Sequence, residues 1–190
     1  DNITCNISDG CIYGMVGSNG AGKSTFLRVL SGIYKPDKGC AYINDEPIYE
    51  NPKVKDNIVF VSDELFFLPG ATMSKMADFY SSIYDRFNYD RFLKLAELFE
   101  LNIKKPIANF SKGMKRQASI ILALSTRTKY MFFDETFDGL DPVMRNLVKK
   151  LICNDVAEYD TTVIVTSHSL RELEDICDHL ALLHKGGLVL

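Results

Sequence analysis

The sequence predicts an α/β fold in which a mainly parallel sheet is flanked by helices. Three observations carry that expectation. Short apolar runs of the buried-strand type alternate with stretches of helical spacing through the second half of the chain. A Gly-rich turn, Gly17–Thr25, lies between one such run and the helical pattern after it. Two further apolar runs end in polar residues, Asp134-Glu135 and His168, and a parallel sheet binds its ligands beyond such strand ends.

The elements follow in order. Asp1 to Ile7 alternates like a strand, and Cys11–Val16 is a mostly apolar strand. Phe26–Leu30 has helical spacing, with Gly32 suited to the helix end. Lys35–Gly39 is a turn, Cys40–Ile43 a strand, and Asn44-Asp45 a second turn. Ile58–Val61 is a strand. Thr72–Phe87 and Tyr89–Phe99 are helices, the first with Phe79, Tyr80, Ile83 and Tyr84 on one face. Ser111 is placed to cap a helix whose apolar part is Ala118–Leu124. Tyr130–Phe133 is a strand, and Pro142 suits a first helical turn. Thr162–Val165 is a strand, Ser169 to Glu172 has capping-box spacing for a following helix, and His179–Leu183 is the next strand. Lys185-Gly186-Gly187 reads as a hairpin turn whose return strand stops at Leu190. Both ends read as trimmed.

Gly17-Ser18-Asn19-Gly20-Ala21-Gly22-Lys23-Ser24-Thr25 has the spacing of a phosphate-binding loop. Its glycines let backbone N–H groups turn onto a phosphate chain, and the following helix aims its positive end at the anion. Lys23 adds charge for the β- and γ-phosphates, and the Ser24 hydroxyl can ligate Mg²⁺. The chain is therefore expected to bind a nucleoside triphosphate. Alternation sends the Asp134 and Glu135 side chains in different directions. Asp134 is the natural Mg²⁺-side acid, and Glu135 is placed to orient or deprotonate water. His168 can contact the γ-phosphate, whereas His179 and His184 read as structural. Ser111-Lys112-Gly113-Met114 reads locally as a capped core helix whose start can still face an anion.

Composition excludes other classes. The 190 residues carry a net charge of −3, with 46% hydrophobic and 25% charged residues, so no basic face for nucleic acid is expected. No apolar run approaches the ~20 residues of a membrane span, so membrane contact is expected through another protein. Cys5, Cys11, Cys40, Cys153 and Cys177 are odd in number and lack a C-x-x-C pair, which points to free thiols.

Taken together, these residues resemble the nucleotide-binding domain of an ABC ATPase along essentially the whole chain. Gly17–Thr25 is similar to the family's Walker A, Phe110–Met114 to its signature, and Met131–Glu135 to its Walker B with the catalytic glutamate. Asp138–Asp141 resembles the D-loop, with Asp141 its acid, and His168 the switch histidine. Within the family the chain looks most like small bacterial drug- and bacitracin-export ATPases.

The resemblance implies a P-loop NTPase fold in a single domain over 1–190, with a small antiparallel β part and a helical subdomain at about 64–124. It implies ATP and Mg²⁺ as ligands, and a head-to-tail dimer in which Ser111, Lys112, Gly113 and Met114 of one subunit cover the nucleotide of the other. It also implies a transmembrane permease partner gripped by the helical subdomain, and a cytoplasmic location on the inner face of the membrane through that partner. Several positions depart from the pattern. Ser62-Asp63-Glu64 stands where a glutamine is usual, with Asp63 a further candidate oxygen for Mg²⁺; Lys112 and Met114 replace a glycine and a glutamine; Thr136 replaces a proline. The function expected is an ATP-hydrolysing subunit that powers an exporter. The alternatives are a soluble ABC ATPase acting on ribosomes or nucleic acid, and a non-hydrolysing regulatory module.

Overall fold

A computed structural model describes residues 3–189. Its main sheet has six strands: β1 (Ile12–Val16), β4 (Ile58–Val61), β5 (Tyr130–Phe133), β6 (Thr162–Ser167), β7 (His179–His184) and β8 (Gly187–Val189). They are ordered β4-β5-β6-β1-β7-β8, every pairing parallel except β7 with β8. A two-stranded hairpin, β2 (Tyr42–Ile43) and β3 (Glu46–Pro47), stands apart. The helices are α1 (Lys23–Leu30), α2 (Pro52–Lys55), α3 (Met73–Ile83), α4 (Tyr89–Leu98), α5 (Lys112–Ser125) and α6 (Pro142–Tyr159). The α/β class read from the sequence holds.

Alternation along the strands sorts the core into two layers. Met131, Phe133, Val163 and Val165 face one side of the sheet and pack with Met73 and Met76 of α3, Phe92 of α4, Ile121 of α5 and Val148 of α6. Tyr130, Phe132 and Ile164 face the other side and pack with Leu27 of α1 and Val54 of α2. The helical insert thus shares a continuous core with the sheet. A fully buried side chain such as Phe92 or Leu27 contributes about 1.5–3 kcal/mol relative to exposure.

Local chemistry sets the ends. Helix α1 closes with Gly32 at φ +67°, while Gly32 N–H and Ile33 N–H donate to the carbonyls of Val29 and Arg28. That double return bond is the Schellman arrangement. Asn44 and Asp45 both take positive φ, as a two-residue hairpin turn requires, and so do Lys185 and Gly186 before β8. The hairpin expected at Lys185–Gly187 is present; Leu190 lies outside the described residues.

Four expectations are corrected. Residues 3–8 form no strand: Ile3 and Ile7 pack against the second core layer, but their backbone joins no ladder; Asp1 and Asn2 lie outside the described residues. The strand expected over Cys40–Ile43 shrinks to its last two residues. The capping box at Ser169–Glu172 does not form. Ser169 makes no side-chain cap, only a short 3₁₀ turn follows, and Glu172 is drawn instead to Ser167 and Arg145. The aromatic face of α3 splits, Tyr80 and Tyr84 packing on the core while Phe79 and Ile83 are exposed.

Asp155 of α6 ties the insert to the sheet core. It is 2% exposed, accepts from Arg91 of α4 at 2.5 Å and lies 3.8 Å from Arg127, which stacks on Tyr159. Burial pushes its carboxyl above the ordinary value, against the pull of Arg91 and Arg127. Removing one partner of a buried pair strands the other charge. Asp155→Ala should therefore lower stability by about 2–3 kcal/mol in urea denaturation; an unshifted midpoint would show that the pair contributes nothing.

Candidate nucleotide site

The site gathers at the carboxyl ends of β1, β6 and β5, three neighbours in the sheet. The phosphate-type loop leaves β1 and turns into α1 through Gly22, whose φ of +106° suits a residue without Cβ. A Cβ at Gly17 would collide with the Leu183 carbonyl, so β7 closes one wall of the loop. Lys23 is 5% exposed, and its ammonium donates to the carbonyls of Gly17 (2.5 Å) and Ser18 (3.2 Å). It also pairs with Glu135 Oε1 at 3.0 Å, outside hydrogen-bond geometry.

Both acids lie just past the end of β5, and the turn there, rather than strand alternation, sets their directions. Asp134 is fully buried; its N–H donates to the Val61 carbonyl and its Oδ1 accepts the Thr166 hydroxyl at 2.8 Å. Its Oδ2 is buried without a hydrogen-bond partner. Glu135 adopts φ +47°, uncommon for a residue with a Cβ, and its N–H donates to Thr166 Oγ1 at 3.1 Å. Its Oε2 accepts the His168 backbone N–H at 3.2 Å and lies 3.0 Å from His168 Nδ1. Lys23, Glu135 and His168 thus form one row.

His168 is half exposed, and its pKa is raised, first by the hydrogen bond to Glu135 and then by the charges of Asp138, Glu135 and Glu172; slight burial opposes. The Asp138 carboxyl is also raised, mainly by burial, with His168 pulling it down and Glu135, Glu172 and Asp63 pushing it up. His179 and His184 lie on β7, away from this row, with the His179 ring beside Tyr13.

A divalent cation fits this donor set. The unpartnered buried Oδ2 of Asp134 is the kind of hard oxygen such an ion takes, and Ser24, half buried in the first turn of α1, offers a hydroxyl. Asp63 is drawn elsewhere. Its Oδ1 accepts from Arg116 of α5 at 2.7 Å, and the same guanidinium donates to the Ser62 and Asp63 carbonyls. Asp63 is thus held by an ion pair with a buried arginine through Oδ1.

Ser111 caps α5 by accepting the Met114 N–H, and Gly113 approaches the Gly139 carbonyl so closely that an added Cβ would lie 3.0 Å from it. Among the described residues no hydrogen bond or ion pair joins Ser111–Met114 to Gly17–Thr25 of the same chain. Asp141 caps α6, its Oδ1 accepting from Val143 and Met144. Arg145 of α6 pairs with Glu172 at 3.1 Å, and Glu172 accepts the Ser167 hydroxyl, bracing the turn that carries His168. Sequence reasoning missed Thr166, Arg116 and the Arg145–Glu172 pair. For Thr166 the available signal was a polar residue within a run otherwise buried; Arg116, between Lys115 and Gln117, gave none.

Such a loop beside an acid pair and a histidine, at the ends of a parallel sheet, defines a P-loop nucleotide-binding domain. The family model described as "ABC transporter" matches residues 1–138, and the chain belongs to that family. It is similar to the ABC transporter ATP-binding protein YtrB of Bacillus subtilis (strain 168), 32% identical over 98% of this chain and 64% of that protein. It is also similar to the bacitracin transport ATP-binding protein BcrA of Bacillus licheniformis, 31% identical over 100% of this chain and 63% of that protein. The chain spans a little under two thirds of the length of these relatives. Among solved structures, an ATP-binding subunit of an ABC transporter superposes with a TM-score of 0.91 at 24% identity, covering 99% of this chain and 80% of the other. The dimeric post-hydrolysis cassette MJ0796 bound to ADP and Pi gives 0.88 at 21%, covering 98% and 87%. At these identities the structures bear on the fold alone.

Two outcomes follow. His168 has a folded-state pKa above its unfolded value, so its contact with Glu135 stabilises fully below about pH 6.5 and fades as pH rises through the folded value. The thermal-midpoint advantage of wild type over His168→Gln should shrink as pH rises above about 6.5; a constant difference would contradict the pairing. Asp63→Ala should cost about 1 kcal/mol, a low value because Asp63 is 54% exposed, and should leave the Mg²⁺ dependence of nucleotide binding unchanged. A shifted Mg²⁺ requirement would restore Asp63 as a ligand.

Proposed function

We propose that this chain binds and hydrolyses ATP and that it powers a membrane transporter, of the export kind. The observation that carries the reading is the placement of Glu135, held between Lys23 and His168 and one residue from the buried Asp134. A carboxylate so fixed has one useful task beside a phosphate loop, to orient a water and take its proton. Lys23 balances charge on the β- and γ-phosphates, and the loop Gly17–Thr25 wraps them. Ser24 and Asp134 would hold Mg²⁺, which when bound neutralises phosphate charge. His168 donates toward the γ-phosphate and, through Nδ1, keeps Glu135 aimed.

Completion by a second copy fits the surface. Lys112 and Gly113 lie beside Gly139, and no hydrogen bond or ion pair among the described residues joins Ser111, Lys112, Gly113 or Met114 to the phosphate loop of their own chain, which suits a role at a partner's nucleotide. In this reading Asp141 holds the D-loop by capping α6 at that interface. The region 64–124, with Phe79 and Ile83 exposed, is the helical subdomain that grips a transmembrane permease. Among the described residues no helix is long and apolar enough to cross a membrane, in keeping with attachment through such a partner at the cytoplasmic face. Bacitracin transport is the printed role of BcrA, and it supports drug export here by likeness alone. Action on ribosomes or nucleic acid gains no support from a chain of net charge −3.

Glu135→Gln should cut ATP turnover at least about 100-fold while preserving ATP binding, measured by phosphate release beside equilibrium binding of a fluorescent ATP analogue. Undiminished turnover would overturn the assignment of Glu135.

A further inference from the structure

We infer that Thr166 is a positioning residue for hydrolysis, its one hydroxyl fixing both Asp134 and Glu135; this rests on the ATPase reading above. Thr166 is fully buried near the end of β6, on the sheet face it shares with Thr162 and Ile164. A valine or isoleucine would continue that strand as well, so packing alone does not call for a hydroxyl here. The register pairs Phe133 with Val165, which brings the next residue of each strand, Asp134 and Thr166, side by side.

A hydroxyl has one proton to give. Here it goes to Asp134 Oδ1 at 2.8 Å, so the Glu135 N–H at 3.1 Å must be received by a lone pair of the same oxygen. The chain Glu135 N–H to Thr166 O–H to Asp134 Oδ1 therefore runs in one direction, and each bond polarises the next. Two consequences follow for the acids. Asp134 cannot exchange its oxygens, because Oδ1 is occupied and Oδ2 is the one left unpartnered. Glu135 is held at φ +47°, the backbone turn that brings its carboxylate back to His168 and Lys23. Neither consequence requires Thr166 to touch the nucleotide. The neighbouring Ser167 points to the other face and bonds Glu172, so it cannot substitute.

The test compares Thr166→Val, which keeps the shape and removes the hydroxyl, with Thr166→Ser, which keeps the hydroxyl. Thr162→Val serves as the control: it removes a buried hydroxyl from the same face of β6, one that accepts the Gly10 N–H at the strand's far end. Thr166→Val should lower kcat for ATP by about 10–100-fold with KM for ATP within about threefold. Thr166→Ser should recover to within about threefold of wild type, and Thr162→Val should stay within about twofold. Hydrogen exchange at the Glu135 amide, read without nucleotide, should quicken at least about tenfold in Thr166→Val alone. An unchanged kcat in Thr166→Val, a serine variant as slow as the valine one, or equal losses in Thr162→Val would each overturn the inference while leaving the ATPase reading standing. A wild-type chain that binds ATP without hydrolysing it overturns both.

Discussion

The parallel pairing of β5, β6 and β1 is the constraint on which the site depends. Each strand supplies one component at its carboxyl end: the acids after β5, His168 after β6, the phosphate loop after β1. The register is set by burial on both faces. A one-residue slip would send Phe133 and Val165 from one core layer to the other, and with them the directions of Asp134 and Thr166. The packing that stabilises the sheet is therefore the packing that aims the chemistry.

Charge in the site is balanced locally. Lys23, a buried ammonium, has two backbone carbonyls and the Glu135 carboxylate as company, and Glu135 in turn has His168. A buried cation without such partners would carry a large desolvation cost. The same contacts hold Glu135 in a backbone conformation that a residue with a Cβ rarely adopts. Away from the site, Arg116 plays a comparable part. It fastens the segment after β4 to the helix that Ser111 caps, so two segments distant in sequence meet through one guanidinium.

Much of this was legible in the sequence because it is encoded locally. The Gly17–Thr25 spacing, the apolar run into Asp134-Glu135, the Ser111 cap and the turn at Lys185-Gly186 each depend on residues within one or two turns of chain. The failures share a cause as well. Ile3–Ile7 has the alternation of a strand, yet a strand exists only where a ladder partner lies alongside, and alternation says nothing of partners. Ser169–Glu172 has capping-box spacing, but Arg145 and Ser167 compete for the Glu172 carboxylate and win it. The pairing of Asp63 with Arg116, 53 residues away in the chain, was likewise invisible in the sequence.

By itself the sequence determined which residue types are suited to phosphate, metal and proton chemistry, since that suitability follows from side-chain charge and backbone freedom. The tertiary structure alone decided their relations: that Lys23 pairs with Glu135, that Asp63 belongs to Arg116, and that one threonine hydroxyl serves both acids. The reason is physical. A hydrogen bond or ion pair is settled within about 3 Å, and groups far apart in the chain reach that range only when the strand order brings them together.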